Sequence, residues 1–239
     1  MTFPARFPID KVQRVVREVC TRHGVMLVTP ESPSVLREAV HLTIAAATPL
    51  TFEEARGRVS FYLSKLLPEV IGLIRAAAPW LPDPELSKSV ISLSPTVWED
   101  LIALVGTAAH ELVHHGEDCA ARGSQGVLGS VTHGGAYLLC DCVRGNSEGL
   151  SYTQNLTAEV VLGGRDPAVY IEGVLSRLKT TYRLGDTELE NQRRTLSSCA
   201  DSLRAEVLHG VGSPVEELFH ALVAEGMTLP SPWSERLAA

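Results

Sequence analysis

Thr107-Ala-Ala-His-Glu-Leu-Val-His-His115 decides how the rest of the chain is read. It contains HExxH: His110 and His114 stand four residues apart with Glu111 beside the first. On a helix, residues four apart project from one face, so both imidazoles can share one metal ion. Glu111 is then placed to reach a water at the open coordination position without ligating the metal itself. The pattern alone arises by chance in roughly 1 in 60 chains of this length, so the context has to carry weight.

The context is helical. Leu112 and Val113 between the histidines are apolar, no proline interrupts, and Trp98, Leu101, Val105 and Leu112 suit a core-facing side. Ala103, Gly106 and Thr107 are small and leave room above a metal. The motif helix is expected from Thr96, capped by a Thr96/Glu99 box, to His115, with Gly116 ending it. The competing reading is a surface helix with a polar stripe; grouping His110, Glu111 and His114 on a half-buried helix without a use would be costly.

Working outward, residues 8–23, 33–47, 51–66 and 68–78 read as helices, the third with a Thr51/Glu54 capping box. Val25–Val28 and Val90–Leu93 read as strands, and the glycine- and serine-rich residues 122–136 as a loop. Residues 147–162 form a further helix, and 167–183, 186–209 and 214–226 a helical tail without a chemical motif. The fold class expected is α+β, predominantly α, with a small sheet. The boundary is placed at residue 164, between a domain over 1–164 and a C-terminal helical lobe over 165–239.

Composition narrows the function classes. The formal net charge of −7 and the lack of a Lys/Arg run argue against nucleic acid; Arg193-Arg194 reads as a solvated helix face. No apolar stretch has the length of a signal peptide or a membrane span. Residues 70–81 are too short and carry Arg75 and Pro79. The expected location is the cytoplasm, or a virion if the chain is phage-encoded. Five cysteines, unevenly spaced, read as reduced thiols.

The strand, the long HExxH helix and a later acid-bearing helix, over about residues 90–159, resemble a zinc metallopeptidase of the zincin class. The resemblance implies Zn2+ as cofactor, His110 and His114 as ligands, and Glu111 as general base toward a zinc-bound water that hydrolyses a peptide bond. It implies a zincin-like core over 1–164. The metzincin pattern needs a His or Asp ten residues after His110, where this chain has Ala120. The gluzincin-like pattern takes a Glu from a downstream helix. Glu148, in Asn146-Ser-Glu-Gly-Leu-Ser-Tyr152, is preferred to Glu159, because Gly149 and Ser151 permit close helix packing. Asp118 ranks lower, since Gly116 is expected to break the helix first. Tyr152 and His133 are the candidates for a donor to the tetrahedral oxyanion.

His115 points about 100° away from His114 and reads as a neighbour of the site or a surface residue. Cys119, Cys140 and Cys142 with His133 offer a second metal set, but Cys-Asp-Cys is not the usual two-residue gap, and small buried thiols are the preferred reading. The leading function is a zinc-dependent peptidase acting on a peptide or protein. The alternative is a structural or assembly protein, for instance of a phage particle, that retains the fold with zinc as a staple and meets a partner through its C-terminal helices. A third is a helical protein with a chance motif.

Overall fold

In a computed structural model of the chain, residues 7–47, 50–65, 87–208 and 212–237 are described. The expected helix over 68–78 lies outside them.

α1 (Ile9–Arg22) forms because Val12, Val15, Val16, Val19 and Cys20 recur at helical spacing, and all five are buried. Gly24 follows at φ +70° and turns the chain into β1 (Val25–Val28). α2 (Val35–Ala47) leads to α3 (Phe52–Arg58), whose start carries the expected capping box. Thr51 N donates to Glu54 Oε2 at 2.9 Å, and Glu54 N donates to Thr51 Oγ1 at 3.2 Å. The helix expected to run on to residue 66 stops at Arg58. Phe61–Leu63 instead forms β2, because these residues find a partner in β3 (Ser89–Ser92), and pairing outweighs local helical spacing. The sheet order is β1-β3-β2, with β3 parallel to β1 and antiparallel to β2. Central β3 is buried throughout.

The motif helix departs from expectation at both ends. A single turn, α4 (Pro95–Trp98), precedes it, and Thr96 Oγ1 donates to the Gly57 carbonyl instead of capping. The true N-cap is Asp100, which accepts from Ala103 N at 2.8 Å and starts α5 (Leu101–Leu139). Gly116 does not end α5. A glycine costs a helix only about 1 kcal/mol, and flanking residues such as Leu112 and Asp118 are buried and held. The segment expected to be a loop, 122–136, is helical. It is bent by non-helical Gln125 (φ −134°, ψ 16°) and Gly126 (φ 60°, ψ −142°) into a first arm, 101–124, and a second arm, 127–139. α6 (Asp141–Val161) returns antiparallel to the first arm, starting earlier than expected. α7 (Pro167–Thr180), α8 (Asp186–Arg204), α9 (Pro214–Ala224) and the short α10 (Trp233–Arg236) complete the described chain.

The fold is mostly helical with a small sheet, as expected. One apolar cluster takes in α1, the first arm of α5, α6, α8 and α9, so residues on both sides of position 164 share it. Two glycines let α6 sit close to its neighbours. A Cβ on Gly106 would lie 3.1 Å from the Asn155 side chain, and one on Gly149 would collide with Gln192 Oε1 of α8. Gly106 therefore serves the contact between α5 and α6 and leaves no open space above a metal. Among the described residues, no helix is long and apolar enough to cross a membrane.

Candidate metal centre

The close approach of α5 and α6 brings His110, His114 and Glu148 together. His110 Nε2 and His114 Nε2 are 3.2 Å apart. Glu148 Oε2 lies 3.6 Å from the first and Glu148 Oε1 3.6 Å from the second. Ligand atoms about 2.0–2.1 Å from a tetrahedral zinc stand about 3.4 Å from one another, so the two imidazole nitrogens have the spacing of two corners of such a site, and one atom from each of the three residues lies within 4.8 Å of the others. Among the described residues, this is the one group of three His, Cys, Asp or Glu side chains close enough to share an ion.

Three further observations fit a cation. Both Nδ1 atoms are engaged: His110 Nδ1 lies 2.8 Å from Asn155 Oδ1, and His114 Nδ1 lies 3.1 Å from Ser147 Oγ and 3.5 Å from Glu117 Oε2. Holding the proton on Nδ1 leaves each Nε2 lone pair free to ligate. Glu148 is 1% exposed, and its Oε2 has no hydrogen-bond partner, whereas Oε1 accepts from the Tyr137 hydroxyl. A buried carboxylate oxygen left without a donor is costly unless a cation completes it.

The electrostatics follow from burial. Burial pushes Glu148 up, against the charge of His114 and the hydroxyls of Tyr137 and Tyr182. Burial and the nearby His114 push His110 down to about 3. For His114 burial acts downward too, but its bond to Glu117 and the charges of Glu111, Glu148 and Glu117 outweigh it and raise its pKa. Glu111 is pushed up to about 7 by burial, with His114 and the Tyr62 backbone N–H pulling down and Glu148 pushing up.

The cluster opens into a cavity of about 440 Å³, lined by Glu111, residues 60–64 around β2, and residues of the second arm of α5. Among the described residues β2 is an edge strand, and the Tyr62 backbone N–H faces the Glu111 carboxylate.

Other expected site residues fall elsewhere. Glu159 pairs with Arg165 at 3.4 Å, about 16 Å along α6 from Glu148 at 1.5 Å per residue. Asp118 is helical and buried, but accepts from Tyr62, Ser64, Arg122 and Ser130, tying β2 to both arms of α5. His115 is buried and does not line the cavity; its Nε2 lies 3.1 Å from the His23 carbonyl and its Nδ1 3.3 Å from the Tyr62 hydroxyl. Tyr152 does not line the cavity. Its ring packs edge-on against His110 at 4.9 Å, and its hydroxyl meets Arg177. His133 lines the cavity from a helix, not a loop. Cys119 and Cys142 are exposed and Cys140 is half-buried, which corrects the expectation of small buried thiols at these three positions; Cys20 and Cys199 are buried.

Tyr137, Tyr182, Asn155, Ser147 and Glu117 were not singled out in the sequence. For Asn155 a signal existed: it stands two turns after Glu148 on the same stripe of α6. Tyr137 and Tyr182 had none, since one lies beyond the kink and the other after α7. No protein-family model, curated protein or solved structure matches the chain.

Proposed function

We propose that the protein is a zinc-dependent peptidase of the HExxH type, with His110, His114 and Glu148 holding the ion and Glu111 as general base. The observation that carries this is the convergence of His110, His114 and Glu148, the first and last buried and the last with an orphaned carboxylate oxygen, beside Glu111 at a cavity. Zinc, when bound, supplies a Lewis acid that polarises a carbonyl and makes water acidic near neutral pH. The chain supplies the rest. Among the described residues β2 is the edge of the sheet, and its backbone groups other than the Tyr62 N–H would meet an extended peptide laid across the cavity. Glu111 takes a proton from the attacking water and returns it to the leaving amine. His133, which lines the same cavity, presents a donor toward the developing oxyanion. Asn155, Ser147 and Glu117 hold the two imidazoles.

The test pairs metal analysis with cleavage of a peptide library. Wild type and Glu111→Gln should each retain one zinc, and the variant should lose about 10²–10⁴-fold in cleavage rate. Undiminished cleavage by Glu111→Gln would remove the assignment. A second reading, zinc as a staple between α5 and α6 in an assembly protein, is favoured by the exposed apolar residues Leu128, Val131, Leu138 and Leu139 on the second arm. It predicts one tightly held zinc with no cleavage of any library member.

A further inference from the structure

The second arm of α5 lies over the cavity in an unusual way. The chain turns back at Gln125 and Gly126, whose φ of +60° suits glycine, and a Cβ on Gly129 would lie 1.9 Å from the Ala121 carbonyl oxygen. The two arms therefore touch backbone to backbone near the bend. One face of the second arm is apolar and exposed, as described above. The other carries Ser130, His133 and Tyr137 at helical spacing, and each meets a carboxylate. Ser130 donates to Asp118, His133 Nε2 lies 4.0 Å from Glu117, and Tyr137 donates to Glu148. Ser130 and Tyr137 thus bond buried acids, and the last of these acids belongs to the metal centre.

We propose that Tyr137 is a positioning residue that couples the second arm, as a lid, to the metal held by His110, His114 and Glu148. This rests on the metal-site reading above. By bonding Oε1, Tyr137 fixes the carboxylate plane and leaves Oε2, the oxygen without a donor, as the one turned to the ion. A metal that fixes Glu148 in return strengthens a charge-assisted hydrogen bond to the lid. The coupling is reciprocal by thermodynamic necessity: metal closes the lid, and the closed lid retains metal. Ser130 and Asp118 latch the same arm at its other end without touching the ligands.

The experiment measures amide hydrogen exchange over residues 127–139 in the full chain, with zinc and with EDTA, beside zinc affinity by chelator competition. In wild type, zinc should slow exchange in the arm. Tyr137→Phe should bind zinc about 10–100-fold more weakly, and its arm should no longer respond to zinc. With cobalt substituted for zinc, Tyr137→Phe should alter the visible absorption of the ion, which a purely structural role would leave alone. Ser130→Ala should speed exchange in the arm and zinc release while the cobalt spectrum stays as in wild type. Zinc binding with no change in arm exchange overturns the coupling and leaves the metal site standing, and so does wild-type affinity in Tyr137→Phe. A wild type that binds no zinc overturns both. If Tyr137→Phe fails to fold, the comparison of wild type with and without zinc decides alone.

Discussion

Glu148→Gln should make the metal-free protein more stable and abolish its response to zinc. Glu148 is buried, its Oε2 has no donor, and its charge repels Glu111, so the carboxylate opposes folding when no cation is present. Glutamine keeps an oxygen for Tyr137 and removes the charge. The relief from an unsatisfied buried group is about 1–3 kcal/mol, toward the lower end because the attraction to His114 is lost as well. For a chain of this length each kcal/mol moves Tm by about 2–4 °C, giving a rise of roughly 2–12 °C in EDTA. With zinc at 1,000 times its Kd, wild type should gain about 4.1 kcal/mol, roughly 8–16 °C, and Glu148→Gln nothing. Thermal unfolding followed by circular dichroism, with EDTA and with zinc, reads both shifts. The variant should melt above wild type in EDTA and below it in excess zinc. Melting below wild type in EDTA, or an equal zinc-induced rise in both proteins, would refute the account of Glu148 as a ligand kept at the expense of stability.

Asn155→Leu removes the acceptor that holds His110 Nδ1 while keeping side-chain volume. It should weaken zinc binding about 10–100-fold in chelator competition, and an unchanged affinity would show that the bond does not orient the ligand. Burial raises the Cys20 thiol to about 12 and also raises Cys199, so at pH 8 roughly one part in ten thousand of Cys20 is thiolate. Because Cys20 and Cys199 are also buried out of reach of reagent, iodoacetamide should label Cys119, Cys140 and Cys142 in the native protein, and Cys20 and Cys199 only in denaturant. Mass spectrometry of the alkylated peptides checks this, and Cys20 reacting as fast as Cys119 would contradict the packing of α1.

What could be read from the sequence was what rests on local spacing. The valines of α1, the Thr51/Glu54 box and the HExxH pair all depend on residues within two turns of one another, and all three emerge as expected. Preference for Glu148 over Glu159 also came from local chemistry, since Gly149 makes room for Gln192. The departures arise where distant partners decide. Phe61–Leu63 is drawn into a strand by β3, which no periodicity within residues 51–66 encodes. Glycines at 123, 126, 129, 134 and 135 suggested a loop, yet Ser130 and Tyr137 bond to Asp118 and Glu148 and hold the segment helical. Tyr152 has the right spacing for a donor, but Arg177 of α7 claims its hydroxyl.

The pairing of α1 with α9 has a consequence for how the chain is made. Arg22 bonds Glu217 across 195 residues, and Lys11 reaches the Glu225 carbonyl at the other end of the contact. At 5–20 residues per second, a ribosome needs about 10–40 s to deliver α9 after α1 has been synthesised. Through that interval the strip of Val12, Val15, Val16 and Val19 lacks part of its native cover. The nascent chain thus carries an adhesive apolar helix until a segment made some 195 residues later closes over it.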